Sequence, residues 1–155
     1  MASFTAHNHS EATVGHSLDR MWEVLTDPST VQRLTPLVRR ITADGDRWHW
    51  SMVSLPVLSK RVQPAFTEIM HYQPKSRISF SHDDSRTDEF VSADGSYTLA
   101  EVGGGTHLTI DLTITADLPL PRLTAIAVET VMRAVMTQMG NGFAANLERH
   151  LAQGS

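Results

Sequence analysis

The sequence predicts an α+β domain in which a curved antiparallel sheet of six or seven strands wraps around one long C-terminal helix. Three observations support this fold class. A first strand is followed by two short helices, about six strands then follow one another through short turns, and a long helical segment ends the chain. Because no helices separate the later strands, a doubly wound parallel fold is excluded. We expect residues 1–155 to form a single domain.

The composition limits the classes of function. The 155 residues are 41% hydrophobic and 19% charged, which is enough apolar material for a buried core. The net charge of −4 offers no general attraction to phosphate backbones, so we expect no nucleic-acid partner. The chain has no cysteine, which excludes disulfides, thiolate zinc sites and iron–sulfur clusters. Its first ten residues lack the order of a signal peptide, and we expect a cytoplasmic protein.

The first part of the chain alternates between strand and helix signals. Residues 4–14 predict a polar, edge-like strand. Ser17 can cap a helix over residues 18–25, whose apolar positions recur at helical spacing. Asp27-Pro28 ends that helix, and the proline can begin a second short helix that reaches Leu34. These signals place two short helices directly after the first strand.

The pattern then changes to the alternation that is typical of strands. The last strand is the clearest, because its leucines and isoleucines alternate with polar residues, as in a sheet with one solvated face. The inward side of the longest predicted strand stays open, since strands of that length often contain a bulge. Strands are predicted over residues 37–42, 47–54, 58–72, 78–81, 90–100 and 106–115.

The last helix is predicted over residues 122–151, between a pair of prolines and Gly154. Between residues 123 and 143 it is apolar over far more than the usual arc, so we expect the sheet to enclose it on most sides. Its charged residues argue against a membrane span, and we expect no stable membrane insertion. Gly140 and Gly142 indicate a kink, a close backbone approach, or a weakness that tertiary packing tolerates.

A single sheet curving around one helix leaves space that its side chains only partly reach. We therefore expect an apolar pocket between helix and sheet, where small-molecule sites are common. Met132, Met136 and Met139 follow one side of the helix and either adapt to a ligand or fill gaps in a dry core. Trp48 and Trp50 share one strand face and either fill the curve or form a flat wall for a ring-bearing ligand.

Several short motifs, taken in order, resemble a known superfamily. The chain is similar over nearly its whole length to the helix-grip superfamily, which includes START domains and birch-pollen-allergen-like proteins, and within it to the bacterial polyketide cyclase/dehydrase and lipid-transport group. The resemblance implies a fold and a cavity but no particular reaction. The motifs are Val14-Gly-His-Ser17 leading into Met21-Trp22-Glu-Val-Leu-Thr-Asp27, Trp48-His-Trp50, Tyr72-Gln-Pro74 before Ile78-Ser-Phe80, Gly95-Ser-Tyr97, Gly104-Gly-Thr106 and Asn146-Leu147-Glu148.

Candidate acid–base groups are few. The sequence contains no P-loop, dinucleotide fingerprint, nucleophile elbow or zinc-protease motif, and we expect no cofactor. If Glu68 points inward, it is a carboxyl group in an apolar place and can act as a general acid or base. If it points outward, it pairs with Lys60 or Arg61 on the sheet surface. The candidate catalytic residues are Glu68, Tyr72 and His82.

The leading hypothesis is a binding module for an apolar small molecule of lipid, polyketide or isoprenoid type. The alternative is a cyclase or dehydratase that uses the same cavity, and a third possibility is a protein-interaction module. We expect a monomer or homodimer, and no metal site, although His7 and His9 share a strand face. The candidate ligand-binding residues are Trp48, Trp50, Met52, Phe66, Met70, Tyr97, Leu99, Leu108, Ile110, Leu112, Met132, Met136 and Met139.

Overall fold

The computed structural model describes residues 2–153, so Gly154, the predicted end of the last helix, lies outside the described residues. The elements, in chain order, are β1 (Ala2–Val14), α1 (Leu18–Leu25), α2 (Pro28–Leu34), β2 (Val38–Asp44), β3 (Arg47–Met52), β4 (Leu55–Val57), β5 (Lys60–Val62), β6 (Ala65–Gln73), β7 (Arg77–His82), β8 (Val91–Val102), β9 (Gly105–Leu118), a short 3-10 turn (Arg122–Thr124) and α3 (Ala125–Gln153).

Seven of the strands form one antiparallel sheet, in the order β1-β9-β8-β7-β6-β3-β2. The remaining pair, β4 and β5, forms a separate small hairpin. β1 lies at one edge of the large sheet, as predicted, and α3 faces the inner side of the sheet. This arrangement confirms the predicted architecture of a curved sheet around a long helix.

The two short helices follow the local signals of the sequence. The side chain of Ser17 accepts a hydrogen bond from the backbone N–H of Arg20 at 3.3 Å and so caps α1. Pro28 occupies the first turn of α2, where its missing N–H costs nothing. The inward residues of α1, Met21 and Leu25, are almost completely buried and belong to the main core. α1 therefore closes one end of the curved sheet.

The predicted strand over residues 58–72 is wrong in its first part. Leu58 has a positive φ of 55°, and the chain reverses there between β4 and β5. Pro64, which cannot donate a backbone hydrogen bond, precedes the start of β6 at Ala65. Within β6, Phe66, Glu68 and Met70 are buried, which settles the inward side of this strand. The proline and the positive φ, not a bulge, end the extended run.

The expectation that the sheet encloses α3 on most sides is also wrong. Leu123 in the preceding turn is 99% exposed and Ile126 in the first turn of α3 is 83% exposed. The sheet covers only one face of the helix, and within residues 2–153 no second layer covers the other. No helix in this part of the chain combines the length and hydropathy needed to cross a membrane.

The two glycines of α3 have different surroundings. A Cβ on Gly142 would overlap the ring of Pro36, the residue that follows the short connection after α2, whereas a Cβ on Gly140 would meet nothing within 4 Å. The absence of a side chain at Gly142 therefore lets α3 approach the end of α2. Asn146 donates a hydrogen bond to the backbone carbonyl of Leu34 at 2.9 Å and fixes the same contact.

We predict opposite effects for alanine at these two positions. Gly142→Ala should lower the free energy of unfolding by about 1–3 kcal/mol, because the added methyl group must displace a rigid proline ring. Gly140→Ala should raise it by about 0.5–1 kcal/mol, because alanine favours the helix and meets no neighbour. Urea unfolding of both variants measures the difference, and equal effects at the two positions would contradict the close approach.

Candidate functional site

A cavity of about 510 Å³ lies between the inner face of the sheet and α3. Its walls are mainly apolar, and its volume lies within the range of known small-molecule sites. The inward residues of β9 contribute through Leu108, Ile110 and Leu112, because alternate side chains of a strand point to one face. On the opposite side, Met132, Met136 and Met139 of α3 complete the wall, at the i, i+4, i+7 spacing predicted.

The exposed residues of the lining are confined to two elements, the edge strand β1 and α3. The two elements meet at the start of β1, where the backbone N–H of Thr5 contacts the Glu129 carboxylate at 3.4 Å. The chain contacts α3 again just after β1, where His16 lies 3.6 Å from Glu148. Between these contacts they diverge and leave an opening, which we call the mouth. It is lined by Ser10, Glu11, Ala12 and Thr13 on β1 and by Thr137, Gly140, Asn141, Ala144 and Glu148 on α3.

The residues of the mouth were not among the predicted site residues. They are small or polar and carry no apolar pattern that would mark them as part of a binding site. A usable signal does exist, because Asn8, Ser10 and Ala12 occupy the inward positions of β1 where apolar residues would be expected.

Most of the predicted ligand-binding residues lie in the cavity wall, and five predicted site residues do not. Trp48, Met70 and Leu99 are buried in packed regions of the core, while Tyr72 and His82 also lie outside the lining. The predicted residues that do line the cavity are Trp50, Met52, Phe66, Glu68, Tyr97, Leu108, Ile110, Leu112, Met132, Met136 and Met139.

The packing of α1 explains most of these differences. The ring of Trp22 packs edge-on against Tyr72 with 6.2 Å between centroids, and Lys75 forms an ion pair with Asp19 at 2.7 Å. α1 thus covers the end of the sheet where β6 turns into β7, and residues 69–79 do not line the cavity. His82 stands opposite Glu68 in the strand register, but its Nδ1 is buried without a hydrogen-bond partner within residues 2–153.

Glu68 is the buried carboxyl group of the cavity lining. Its side chain lies on the inner face of β6 with only 4% of its surface exposed, so the surface ion pair with Lys60 or Arg61 does not form. Burial raises the pKa of Glu68 to about 8, the nearby Trp50 indole N–H partly opposes this rise, and the negative charge of Asp94 adds to it. The carboxyl group is therefore mainly protonated at neutral pH.

Two aromatic residues surround this carboxyl group. The indole of Trp50 stacks on Phe66 with 5.6 Å between centroids, and its buried N–H faces Glu68 without reaching full hydrogen-bond geometry. Tyr97 lines the cavity from β8, and burial, followed by the charge of Glu68, raises the pKa of its phenol. Tyr97 therefore stays protonated at physiological pH, and this part of the cavity contains neutral polar groups.

The histidines of β1 lie on the opposite, outer face of the sheet. His9 is 2.7 Å from the Asp111 carboxylate and His7 is 3.0 Å from the Thr113 hydroxyl. The hydrogen bond to Asp111, followed by the hydrogen bond to Glu11, raises the pKa of His9. Within residues 2–153 no group of three or more histidine or acidic side chains is placed to hold a metal ion.

The fold and the site together define a helix-grip domain with an internal cavity. A family model described as "Polyketide cyclase / dehydrase and lipid transport" matches residues 2–152. The chain belongs to this family. A search of curated proteins finds no match to the chain.

Solved structures share the same fold at low sequence identity. A START superfamily protein from Mycobacterium smegmatis is 14% identical, with a TM-score of 0.70, and the match covers 96% of this chain and 99% of that one. The Zhui aromatase/cyclase from Streptomyces sp. R1128 is 16% identical, with a TM-score of 0.67 and coverage of 97% and 99%. A protein from Thermus thermophilus is 15% identical, with a TM-score of 0.67 and coverage of 96% and 99%. These likenesses show the fold alone.

The buried carboxyl group predicts a particular dependence of stability on pH. Because the pKa of Glu68 is about 8 in the folded protein and near 4.5 when unfolded, folding favours the protonated form. Its stabilising contribution is complete below about pH 4.5 and is lost as the pH rises to about 8. Across this range the free energy of unfolding should fall by up to about 1.4 kcal/mol per pH unit relative to a Glu68→Gln variant.

Urea unfolding of the natural protein and the Glu68→Gln variant, at several pH values between 4.5 and 8, tests this. The two proteins differ only at residue 68, so the contributions of the rest of the chain are compared in the same background. Parallel pH profiles would show that Glu68 is ionised in the folded protein.

Proposed function

We propose that this protein binds and carries, or sequesters, an apolar small molecule of lipid, polyketide or isoprenoid type in the cavity between the sheet and α3. The observation that supports this proposal best is the cavity itself, a void of about 510 Å³ with mainly apolar walls. Protein cores normally pack with few voids larger than a water molecule, so a space of this size is consistent with an occupant.

The form of the lining supports a binding role. The methionines of α3 can adapt to ligands of irregular shape, because their side chains are unbranched and polarizable. The stacked rings of Trp50 and Phe66 offer a rigid aromatic surface at the far side of the cavity. The small residues of the mouth, among them Gly140 and Ala144, leave a route between β1 and α3 through which a ligand can enter.

A cyclase or dehydratase remains the second candidate function, and Glu68 is the observation that favours it. A carboxyl group with a pKa of about 8 can give up and take back a proton near neutral pH. Fewer of the predicted acid–base residues line the cavity than the sequence suggested, because Tyr72 and His82 lie outside the lining. Tyr97 is the other acid–base group that lines the interior beside Glu68. Conversion of a bound poly-β-carbonyl compound that Glu68→Gln abolishes, with binding retained, would establish the enzyme.

The proposal also includes the setting of the protein. We place it in the cytoplasm, as a monomer or homodimer that works on a small molecule without nucleic acid. The net charge of −4 supports the last point, since it gives no general attraction to phosphate backbones.

A matched pair of substitutions tests the binding role. Ala93 lies on the inner face of β8 and lines the cavity, whereas Ala100 lies on the outer face of the same strand and is exposed. Ala93→Phe should weaken ligand binding by at least about tenfold, because the ring occupies space that the ligand needs, and Ala100→Phe should leave binding unchanged.

The measurement has two parts. Native mass spectrometry of the purified protein shows whether an apolar compound accompanies it, and titration with that compound gives the affinity of each variant. Circular dichroism and thermal unfolding confirm that both variants fold. Equal affinities for the two variants, or a protein that binds no apolar compound at all, would overturn the proposed function.

A further inference from the structure

Glu68 lies several strands away from the mouth of the cavity. It lies on β6, which is separated from β1 by β7, β8 and β9 in the sheet. Four strand spacings amount to about 19 Å measured along the curved sheet. The carboxyl group therefore lies four strands along the sheet from the mouth, in the part of the cavity where the indole of Trp50 and the phenol of Tyr97 also contribute to the wall.

Within residues 2–153, the cavity lining contains no basic side chain that could pair with Glu68. The cavity lining includes three acidic residues, Glu11, Glu68 and Glu148, and no lysine, arginine or histidine among the residues that the structure describes. Glu11 and Glu148 lie at the exposed mouth, where solvent weakens their effect. Both of these carboxylates also contact histidines, Glu11 next to His9 and His107 and Glu148 next to His16. An anionic group of a ligand would find no cation of the described chain inside the cavity, so its burial there would be costly.

The hydrogen-bonding capacity of this carboxyl group is largely unused by the protein. The Trp50 N–H faces it from β3 but does not complete a hydrogen bond. A buried polar group normally has a partner, so a carboxyl group at the wall of an apolar cavity leaves a place for a ligand atom. In its neutral form it both donates and accepts a hydrogen bond, and ketones, esters and alcohols match that capacity.

We propose that Glu68 is the recognition group for a neutral oxygen function, a carbonyl or a hydroxyl, at the inner end of an otherwise apolar ligand, and that the same site rejects carboxylates. This inference rests on the proposed function, which it makes more specific. Trp50 sets the pH range of this recognition, because its N–H lies next to the carboxyl group and favours the ionised form.

Four other titratable groups of the described residues lie near Glu68. His82 on β7 stands opposite it in the register, and Asp94 on β8 raises its pKa through negative charge. Tyr97 on β8 and Tyr72 on β6 itself are both influenced by its charge. When Glu68 ionises, it loses its O–H donor and keeps its acceptors. A carbonyl ligand then loses its hydrogen bond, whereas a hydroxyl ligand can still donate one.

The test compares naphthalene probes that carry different groups at the same ring position. The probes are acetylnaphthalene, isopropylnaphthalene of nearly the same shape, a naphthyl alcohol and naphthoate. Titration calorimetry or tryptophan fluorescence at neutral pH should show that the ketone and the alcohol bind about tenfold more tightly than the hydrocarbon. Naphthoate should bind more weakly than the hydrocarbon. Raising the pH through about 8 should remove the preference for the ketone and retain that for the alcohol.

Three variants separate the contributions of the Glu68 carboxyl group and the Trp50 N–H to these binding preferences. Glu68→Leu should abolish both preferences and leave hydrocarbon binding unchanged or stronger, whereas Glu68→Gln, which keeps an N–H donor, should retain the ketone preference at every pH. Trp50→Phe should move the loss of the ketone preference to higher pH, because the N–H that favours ionisation is absent. Circular dichroism confirms folding, and the near-isosteric Glu68→Gln variant, together with the smaller aromatic Trp50→Phe, tests the proposal even if Glu68→Leu does not fold.

The outcomes distinguish this inference from the proposed function. If the hydrocarbon binds and the preferences do not depend on Glu68, the cavity binds ligands but the recognition role is wrong. Tight binding of naphthoate would overturn it in the same way. If no probe binds, including the hydrocarbon, the proposed function fails and the recognition role fails with it.

Discussion

The structure depends on how α3 is held at its ends. Arg20 of α1 donates a hydrogen bond to the backbone carbonyl of Leu151 at 2.9 Å, and Asn146 donates another to Leu34 of α2. Near the other end, Glu129 contacts the backbone N–H of Thr5. Fixed at these points, the helix spans the concave face of the sheet instead of filling it. The cavity and the mouth both follow from that constraint.

The position of α3 also separates the polar groups of the mouth from the apolar walls of the cavity. Residues such as Ser10 and Asn141 are exposed at the mouth, whereas the walls farther inside are mainly apolar. A carboxyl group at the far end has neither solvent nor a cation to stabilise its charge, and burial raises the pKa of Glu68 to about 8. The raised pKa of Glu68 is thus a consequence of the position of the cavity between the sheet and α3.

Local patterns in the sequence were sufficient for most of the fold. The cap at Ser17 and the alternation along β9 depend on neighbouring residues, and the structure confirms both. The error in the strand over residues 58–72 arose because an alternating apolar pattern does not show a positive φ at Leu58. The mouth was not predicted, although the small and polar inward residues of β1 carry a signal for it, because it depends on how β1 and α3, two elements at opposite ends of the chain, lie relative to each other.

Carrier and enzyme make different demands on this cavity. A carrier needs walls that fit the ligand and a route for exchange, and the lining of about 510 Å³ with its exposed mouth offers both. An enzyme also needs a second group placed to accept or deliver the proton that Glu68 exchanges. Tyr97 cannot be the base at neutral pH, because burial raises the pKa of its phenol and keeps it protonated. A single neutral carboxyl group without a matched base favours recognition over turnover, which is why binding is the stronger of the two functions.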